Sequence, residues 1–595
     1  MNKKIITLIM SLILCFFFFI KLSIEPLFSL IIFISSYYLL NNLDKKFNKK
    51  YKKLSIIISI IFTTIYVICD SIEKTYTIDI INRYLLVNVI SYFIIFYYLI
   101  NSIFSFINIK KDNSNRKIYI GNKEILTESR FSFIVNFILI FTVYLLFLLK
   151  FYPGILTFDS YNELSQVQGI LPLMNNHSIL HTEVLMIFYK IGNIFNSVNL
   201  GVFLYMLFQI SLMSFVFSYV LKFMAKNKVP VLIRILSLLF FMFHPINIIY
   251  SICLWKDIFF SLSIIIFTVL IYYLTKDNNY FMNKKNIIIF AIISLLVMYL
   301  RNNGLYVVFI TFIVLYIKYR KSIKRILSVF VSIIMLYFIS KTIIFNVFNI
   351  KGVEIKEALS MPSQAIARIY RNNNISKEEK KEIEKFYSNR IGEVYIPIIA
   401  DNTKNEMNQK YVKDNFGKYV LLNIKLFFTH NKEYMESFVS NNYGYYYMNT
   451  YYSPLFIQKT DLNGVVHNDK IGNFTLYMSI VSLLTIIMII VLWNLNNKKN
   501  ILLFGLLIPV LLSLSTSIKD NSILTLLFSI GFYSTICFIL YVYNKKNKVN
   551  TSIYIPTIIL WVTMLLSPVY SEFRYLYPMF LLVPIYLGLT FKKED

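Results

Sequence analysis

Acidic residues are scarce in this 595-residue chain: 31 Asp and Glu stand against 60 Lys and Arg, and charged residues of both signs make up only 15%. With 57% hydrophobic residues and a mean hydropathy of +0.61, the chain cannot cover itself with a polar surface, which excludes an ordinary soluble globular protein. Cysteine is nearly absent. Cys15, Cys69, Cys253 and Cys537 lie in or beside apolar runs without metal-ligand spacing, which argues against a zinc module and a disulfide framework. No small-residue cleavage site follows the first apolar run, residues 5–20, so it reads as a retained helix and not a signal peptide. No internal repeat is visible. The formal charge of +29 comes without any soluble recognition motif, so nucleic acid is not an expected partner.

What is present is a succession of apolar runs of roughly membrane-crossing length. Backbone groups in lipid must pair internally, so continuous apolar runs mean helices rather than a membrane barrel. About sixteen spans are expected, at residues 5–20, 25–41, 54–69, 84–107, 131–149, 199–222, 231–250, 257–274, 287–300, 304–317, 326–348, 472–494, 501–517, 521–542, 551–568 and 575–591. The chain is thus expected to be an all-α polytopic membrane protein. Its strongly basic loops, such as Asp44–Lys53 and the stretch Lys318–Arg325, all fall on one side when the spans alternate. That bias predicts cytoplasmic N and C termini.

The opposite, outer side then receives the segments with mixed charge, His, Pro and Trp. The domain reading is an N-terminal region of four spans (1–130), a transmembrane core (131–348) with an outer loop at 150–198, an extracytoplasmic helical domain (349–471) and a C-terminal region of five spans (472–595). In the outer domain, Ser376 and Glu379 have capping-box spacing. The tyrosines of Asn441–Pro454 suit either a membrane interface or stacking on a sugar or lipid head.

The loop after residue 150 carries most of the chemistry. Pro153 and Gly154 end a helix, and Asp159 follows. Asp159 can act as a general base or can cap the next helix, as can Ser160. Glu163 lies one helical turn beyond Asp159, on the same expected face. His177 and His181 are four apart, which puts two imidazoles on one helix face, but the Glu of a zinc-protease motif is missing. Metal ligation, binding of phosphate or sugar, and a structural role all remain open for that pair. Arg301 and Arg574 stand beside apolar spans, where a guanidinium can clamp phosphate or merely snorkel. Lys256 adjoins Asp257, Lys519 adjoins Asp520, and Glu572 lies two residues from Arg574; each can neutralise its neighbour.

The motifs FYPGILTFDSYNELSQVQG, NNHSILHT, WKD, RNNG, SQAIARIY, YMESFVSNNYGYYY and SEFRYLYP together resemble a group of multipass proteins of Gram-positive bacteria, a domain of unknown function that is similar to GT-C-type glycosyltransferases. The resemblance runs from about residue 131 to the C-terminus. It departs at Asn176-His177-Ser178, where the group more often has His-His-Pro, and this weakens any firm role for His177. It implies a GT-C-like core, membrane-lying helices in the first large outer loop, and a sugar donor on a polyprenyl phosphate. It also implies an acidic catalytic residue near the start of that loop, where this chain has Asp159. The implied reaction moves a sugar to a glycan, lipid or protein acceptor of the cell envelope. Catalysis would fall to Asp159 and Glu163, and substrate binding to His177, His181, Lys256, Asp257, Arg301, Glu572 and Arg574. A divalent cation, Mg or Mn, is compatible with this reading but is not assigned. A lipid-linked sugar or polysaccharide flippase is the alternative, and a non-catalytic scaffold of the same fold a third.

Overall fold

The computed structural model describes the chain except residues 1–2, 23–25, 46–47, 80–83, 111–118, 121–122, 177, 278, 319–322, 373–374, 449–463, 466–527, 567–568 and 593–595. Nearly all of it is helical. In chain order the helices are α1 (Lys3–Leu22), α2 (Pro26–Lys45), α3 (Lys52–Thr75), α4 (Leu85–Lys110), α5 (Arg130–Lys150), α6 (Phe158–Val167), α7 (Ile179–Ile194), α8 (Val198–Lys226), α9 (Val231–Phe243) and α10 (Pro245–Ser251). They continue with α11 (Lys256–Lys276), α12 (Lys284–Leu300), α13 (Asn302–Lys318), α14 (Ile323–Val347), α15 (Ser360–Arg371), α16 (Lys377–Phe386), α17 (Asp401–Asn405), α18 (Gln409–Asp414), α19 (Phe416–Thr429) and α20 (Asn431–Asn442). The last three are α21 (Ile530–Lys546), α22 (Ile555–Leu566) and α23 (Tyr577–Thr590). A two-residue antiparallel ribbon pairs Tyr119–Ile120 with Lys123–Glu124.

Among the described residues, seven helical stretches are long and apolar enough to cross a membrane: Lys49–Thr75, Leu85–Asn108, Arg130–Lys150, Val198–Lys226, Lys256–Lys276, Ile326–Val347 and Phe573–Thr590. The bent pair α9–α10 makes an eighth if it counts as one span. Three more of the expected spans form shorter apolar helices, Lys4–Phe17, Asn302–Ile317 and Ser552–Leu566. The expected spans 472–494 and 501–517, the first seven residues of 521–542, and the Lys519–Asp520 pair lie outside the described residues; residues 530–542 of the last span fall in α21.

The expected span 231–250 is not one straight helix. It breaks at His244, and its two halves are bent by 49°. Pro245 lacks the N–H that would bond to Phe241 O, and it holds His244 in an extended conformation (φ −62°, ψ 126°). The Phe241 carbonyl left at the break accepts from Tyr144 Oη, and Phe240 O, which keeps the His244 N–H at 3.2 Å, takes a second bond from Asn247 Nδ2 at 2.9 Å. Such repair is what permits a proline break in apolar surroundings.

The described chain divides into two compact units. The first gathers Met1–Asn113, Ala358–Tyr447 and Pro568–Ser571. In it α15 carries Arg368, whose guanidinium holds buried Glu436 of α20 through Nε (3.1 Å) and Nη2 (2.5 Å). The other oxygen of Glu436 accepts the N–H of Ile78, three residues past the end of α3, at 2.8 Å. Ser376 caps α16 with the capping box its sequence predicts: Glu379 N–H donates to Ser376 Oγ at 3.1 Å, and Ser376 N–H donates to Glu379 Oε2 at 3.0 Å. Burial pushes the Glu379 carboxyl up, but the Ser376 bonds and nearby His430 outweigh it and hold the group below its ordinary value. A depressed carboxylate stabilises the fold above its unfolded pKa, and that contribution fades as pH falls through the lowered folded value. Ser376→Ala is expected to cost about 1 kcal/mol. A thermal-unfolding comparison at neutral pH checks this.

The second unit holds Ser114–Glu357, Met448–Ser567 and Glu572–Asp595. Two glycines fix its geometry. Gly154 adopts φ +133°, which L side chains rarely enter. Gly304 packs the start of α13 on α12 so closely that a Cβ would stand 1.9 Å from Val297 O. Gly304→Ala is therefore expected to destabilise by about 3 kcal/mol, the top of the overpacking range. The yield of folded protein in detergent, compared with Gly417→Ala at an open position of the first unit, reads the effect.

Candidate functional site

The site is in the second unit. It begins with the loop that follows α5. Ile155 pairs with the turn before α11 as a short parallel bridge, with Ile155 N–H on Ile252 O at 2.7 Å and Leu254 N–H on Ile155 O at 3.0 Å. Two side-chain bonds lock the next residues to the same turn. Ser160 Oγ donates to Leu254 O (2.7 Å), and Trp255 Nε1 donates to Thr157 Oγ1 (2.6 Å). Thr157 is the N-cap of α6, in a capping box with Ser160. The capping role considered for Asp159 and Ser160 therefore belongs to Thr157, and Asp159 sits inside the first helical turn. A carboxylate is favoured there by the exposed N–H groups of the helix start. Asp257 occupies the same place on α11.

Arg574 comes from the short 3-10 turn before α23. Its Nη1 donates to Asp159 Oδ2 at 2.5 Å, its Nη2 to Tyr575 Oη at 3.2 Å, and its Nε to Glu572. The guanidinium carbon lies 5.0 Å from the ring centres of both Trp255 and Tyr575. Arg301, between α12 and α13, repeats the theme. Its Nη1 is 2.9 Å from Asp257 Oδ1, and its guanidinium lies 4.6 Å from the Tyr575 ring centre and 5.7 Å from that of Phe260. Neither atom of that ion pair has an aligned hydrogen bond among the described residues. The Tyr575 ring thus touches both guanidinium groups, and five residues singled out in the sequence, Asp159, Asp257, Arg301, Glu572 and Arg574, form one connected cluster.

Exposure sets Asp257 apart from the other two carboxylates. The Asp257 side chain is 2% exposed, Glu572 24% and Asp159 31%, so Asp159 and Glu572 face the open side of the cluster and Asp159 is the more exposed of the two. Burial pushes the Glu572 carboxyl above its ordinary range, Arg574 pulls it back and Asp159 adds to the rise. Among the described residues no group of three His, Cys, Asp or Glu is arranged to hold a metal ion.

Glu163 does not join the cluster. It is 2% exposed and bonds to Nδ1 of buried His181. Nε2 of His181 meets Tyr205 Oη at 2.6 Å, and Tyr205 donates to Gln209 Oε1 at 3.1 Å. Gln209 Nε2 in turn faces the carbonyls of Tyr250, Ser251 and Cys253 at 3.1, 2.9 and 2.9 Å. The single Tyr205 proton is committed to Gln209, so His181 Nε2 must be the donor, and one further proton lies between Nδ1 and Glu163. This chain links α6, α7 and α8 to the turn carrying Trp255 and Asp257. Glu163 and His181 therefore position the site and do not line it. Lys256 turns aside as well, donating to Asn176 O at 3.0 Å. His177 lies outside the described residues, so its pairing with His181 has no structural reading. The helix that carries His181 is capped by Ser178.

Sequence reasoning missed Trp255, Tyr575, Tyr205 and Gln209. The last two had a signal: polar groups four apart inside an apolar run seldom occur there without partners.

The fold and cluster define a class: a helical protein with several apolar helices able to cross a membrane, and a joined arginine–carboxylate–aromatic site where those helices end. Over residues 170–595 the sequence matches the family of unknown function DUF6020, and the chain belongs to that family. The matched part takes in Asp257, Arg301, Glu572 and Arg574 and begins after Asp159 and Glu163. No curated protein and no solved structure matches the chain.

Proposed function

We propose that the protein is a membrane glycosyltransferase of the GT-C type, of a Gram-positive bacterium, that moves a sugar from a polyprenyl-phosphate-linked donor to a cell-envelope acceptor. In this reading the chain crosses the membrane about sixteen times, its termini are cytoplasmic and the cluster faces outward. The observation that carries the reading is a reachable carboxylate, Asp159, in contact with an arginine and one aromatic ring away from a second. That is an acid–base group beside two phosphate-binding groups.

The acceptor hydroxyl oxygen attacks the anomeric carbon and gives its proton to Asp159. The bond from that carbon to the phosphate oxygen breaks, and the lipid phosphate leaves with the electron pair. Attack opposite the leaving group inverts the anomeric centre. The phosphate competes with the carboxylates for Arg574 and Arg301, which stabilise its growing charge. Because the phosphate is already a good leaving group, positioning and electrostatics suffice for rate. The full protein in vesicles with the lipid extract of its own cells should release free polyprenyl phosphate. A sugar lipid carried across the vesicle wall with no release would instead support a flippase, the second reading that the broken α9–α10 helix favours.

A further inference from the structure

In the first unit α19 is apolar on two faces. Tyr419, Leu422 and Leu426 are buried. Phe416, Val420, Leu421, Ile424, Phe427 and Phe428 are exposed, Leu421 by 66% and Phe428 by 74%. At about 100° per residue these six fill an arc of about 140° opposite the buried face. Lys418 and Lys425 are both exposed and run along one edge of that arc, where Lys425 also reaches Glu382 of α16 at 3.4 Å, an exposed pair that headgroups can replace. From Lys413 to Lys432 four lysines stand against a single acid, Asp414. With 14 residues the helix is about 21 Å long, too short to cross a bilayer core of about 30 Å.

Its place in the unit supplies the second observation. Only His430 separates α19 from α20, and α20 is seated at the end of α3, one of the helices able to cross a membrane. Glu436 of α20 accepts the N–H of Ile78 just beyond α3. Soon after α20, Tyr447 Oη donates to Asp70 (2.5 Å), with Glu73 3.1 Å away, in the last turns of α3. The chain on either side of these bonds is therefore held at the level where α3 leaves the membrane.

We propose that α19 lies in the surface of the bilayer that α3 spans, with its exposed apolar face among the acyl chains and its lysines on anionic headgroups. A short helix with a broad apolar face and a lysine edge binds such a surface by burial plus electrostatic attraction. The anchor fixes the domain formed by α15–α20 against the membrane at two points, α19 and the end of α3.

Cysteines placed singly at Leu421→Cys and Phe428→Cys test this in the full protein, labelled with an environment-sensitive fluorophore and reconstituted in phosphatidylcholine–phosphatidylglycerol vesicles. Lys381→Cys, at an exposed position of α16, is the reference, and the unsubstituted protein treated alike is the blank. Labels at 421 and 428 should be quenched several-fold more by brominated lipids than the reference and several-fold less by aqueous iodide. Their lipid quenching should rise with phosphatidylglycerol, and Lys418→Glu with Lys425→Glu should weaken that rise. Iodide quenching equal to the reference would overturn the proposal. Shielding from both quenchers would overturn it as well, because it assigns the face to protein, either this chain or a second copy. Lipid quenching indifferent to phosphatidylglycerol would overturn the role given to the lysines. Two sites two turns apart on the same face keep the test valid if one variant fails to fold.

Discussion

On the proposed glycosyl transfer, Asp159→Asn is expected to lower the rate by about 10²- to 10⁴-fold, the range for losing a general base, with the protein still folded. The fold survives because Asn keeps an oxygen to accept from Arg574, and Glu572 still holds the other side of that guanidinium. What is lost is a group able to take the acceptor proton. Apparent affinity for the lipid donor should change little, since Arg301 and Arg574 remain. The release rate of polyprenyl phosphate as a function of donor concentration separates the two effects. A fall in kcat at nearly constant KM is expected, whereas a rise in KM alone would make Asp159 a binding group.

Arg574→Ala has the largest expected effect on stability. Arg574 is the hub of the cluster: it holds Asp159 and Glu572 and stacks on Trp255 and Tyr575. Its removal leaves two carboxylates facing each other at 31% and 24% exposure, with only Arg301 as the further cation of the cluster. Breaking a buried pair costs about 3 to 5 kcal/mol, and the lower end fits groups that still reach some water. The loss should be recovered in large part when Asp159→Asn and Glu572→Gln are added, because the unpaired charges disappear. Thermal unfolding in one detergent across the single and triple variants reads this. A triple variant no better than Arg574→Ala would mean that stacking, and not charge, holds the turn before α23.

Local rules reached part of this molecule from the sequence. The Ser376–Glu379 box needs only residues three apart, and it formed as spaced. Apolar runs became apolar helices for the same reason. The site residues were recognisable because charge beside an apolar run must find a partner or water. Partner choice was not recognisable. Asp159 and Glu163 share a helix face by spacing, yet one meets Arg574 and the other meets His181. Which carboxylate faces the core depends on how α7 and α8 pack, and no spacing rule carries that. The break before Pro245 was visible as a proline in an apolar run. Hydropathy ran on through it, because the compensating donor, Tyr144, belongs to tertiary structure. Thr157 was passed over as a cap because Asp159 and Ser160 lie two and three residues further on and are equally suited by type.

The central claim, an envelope glycosyl transfer dependent on Asp159, is tested most directly in cells. The protein is deleted, the strain is complemented with the natural chain or with Asp159→Asn, and the envelope glycans and glycolipids are weighed by mass spectrometry. The account predicts that one envelope species loses the mass of a sugar residue on deletion, that its lipid-linked donor accumulates, and that the natural chain but not Asp159→Asn reverses both. An unchanged profile on deletion, or full restoration by Asp159→Asn, would contradict it.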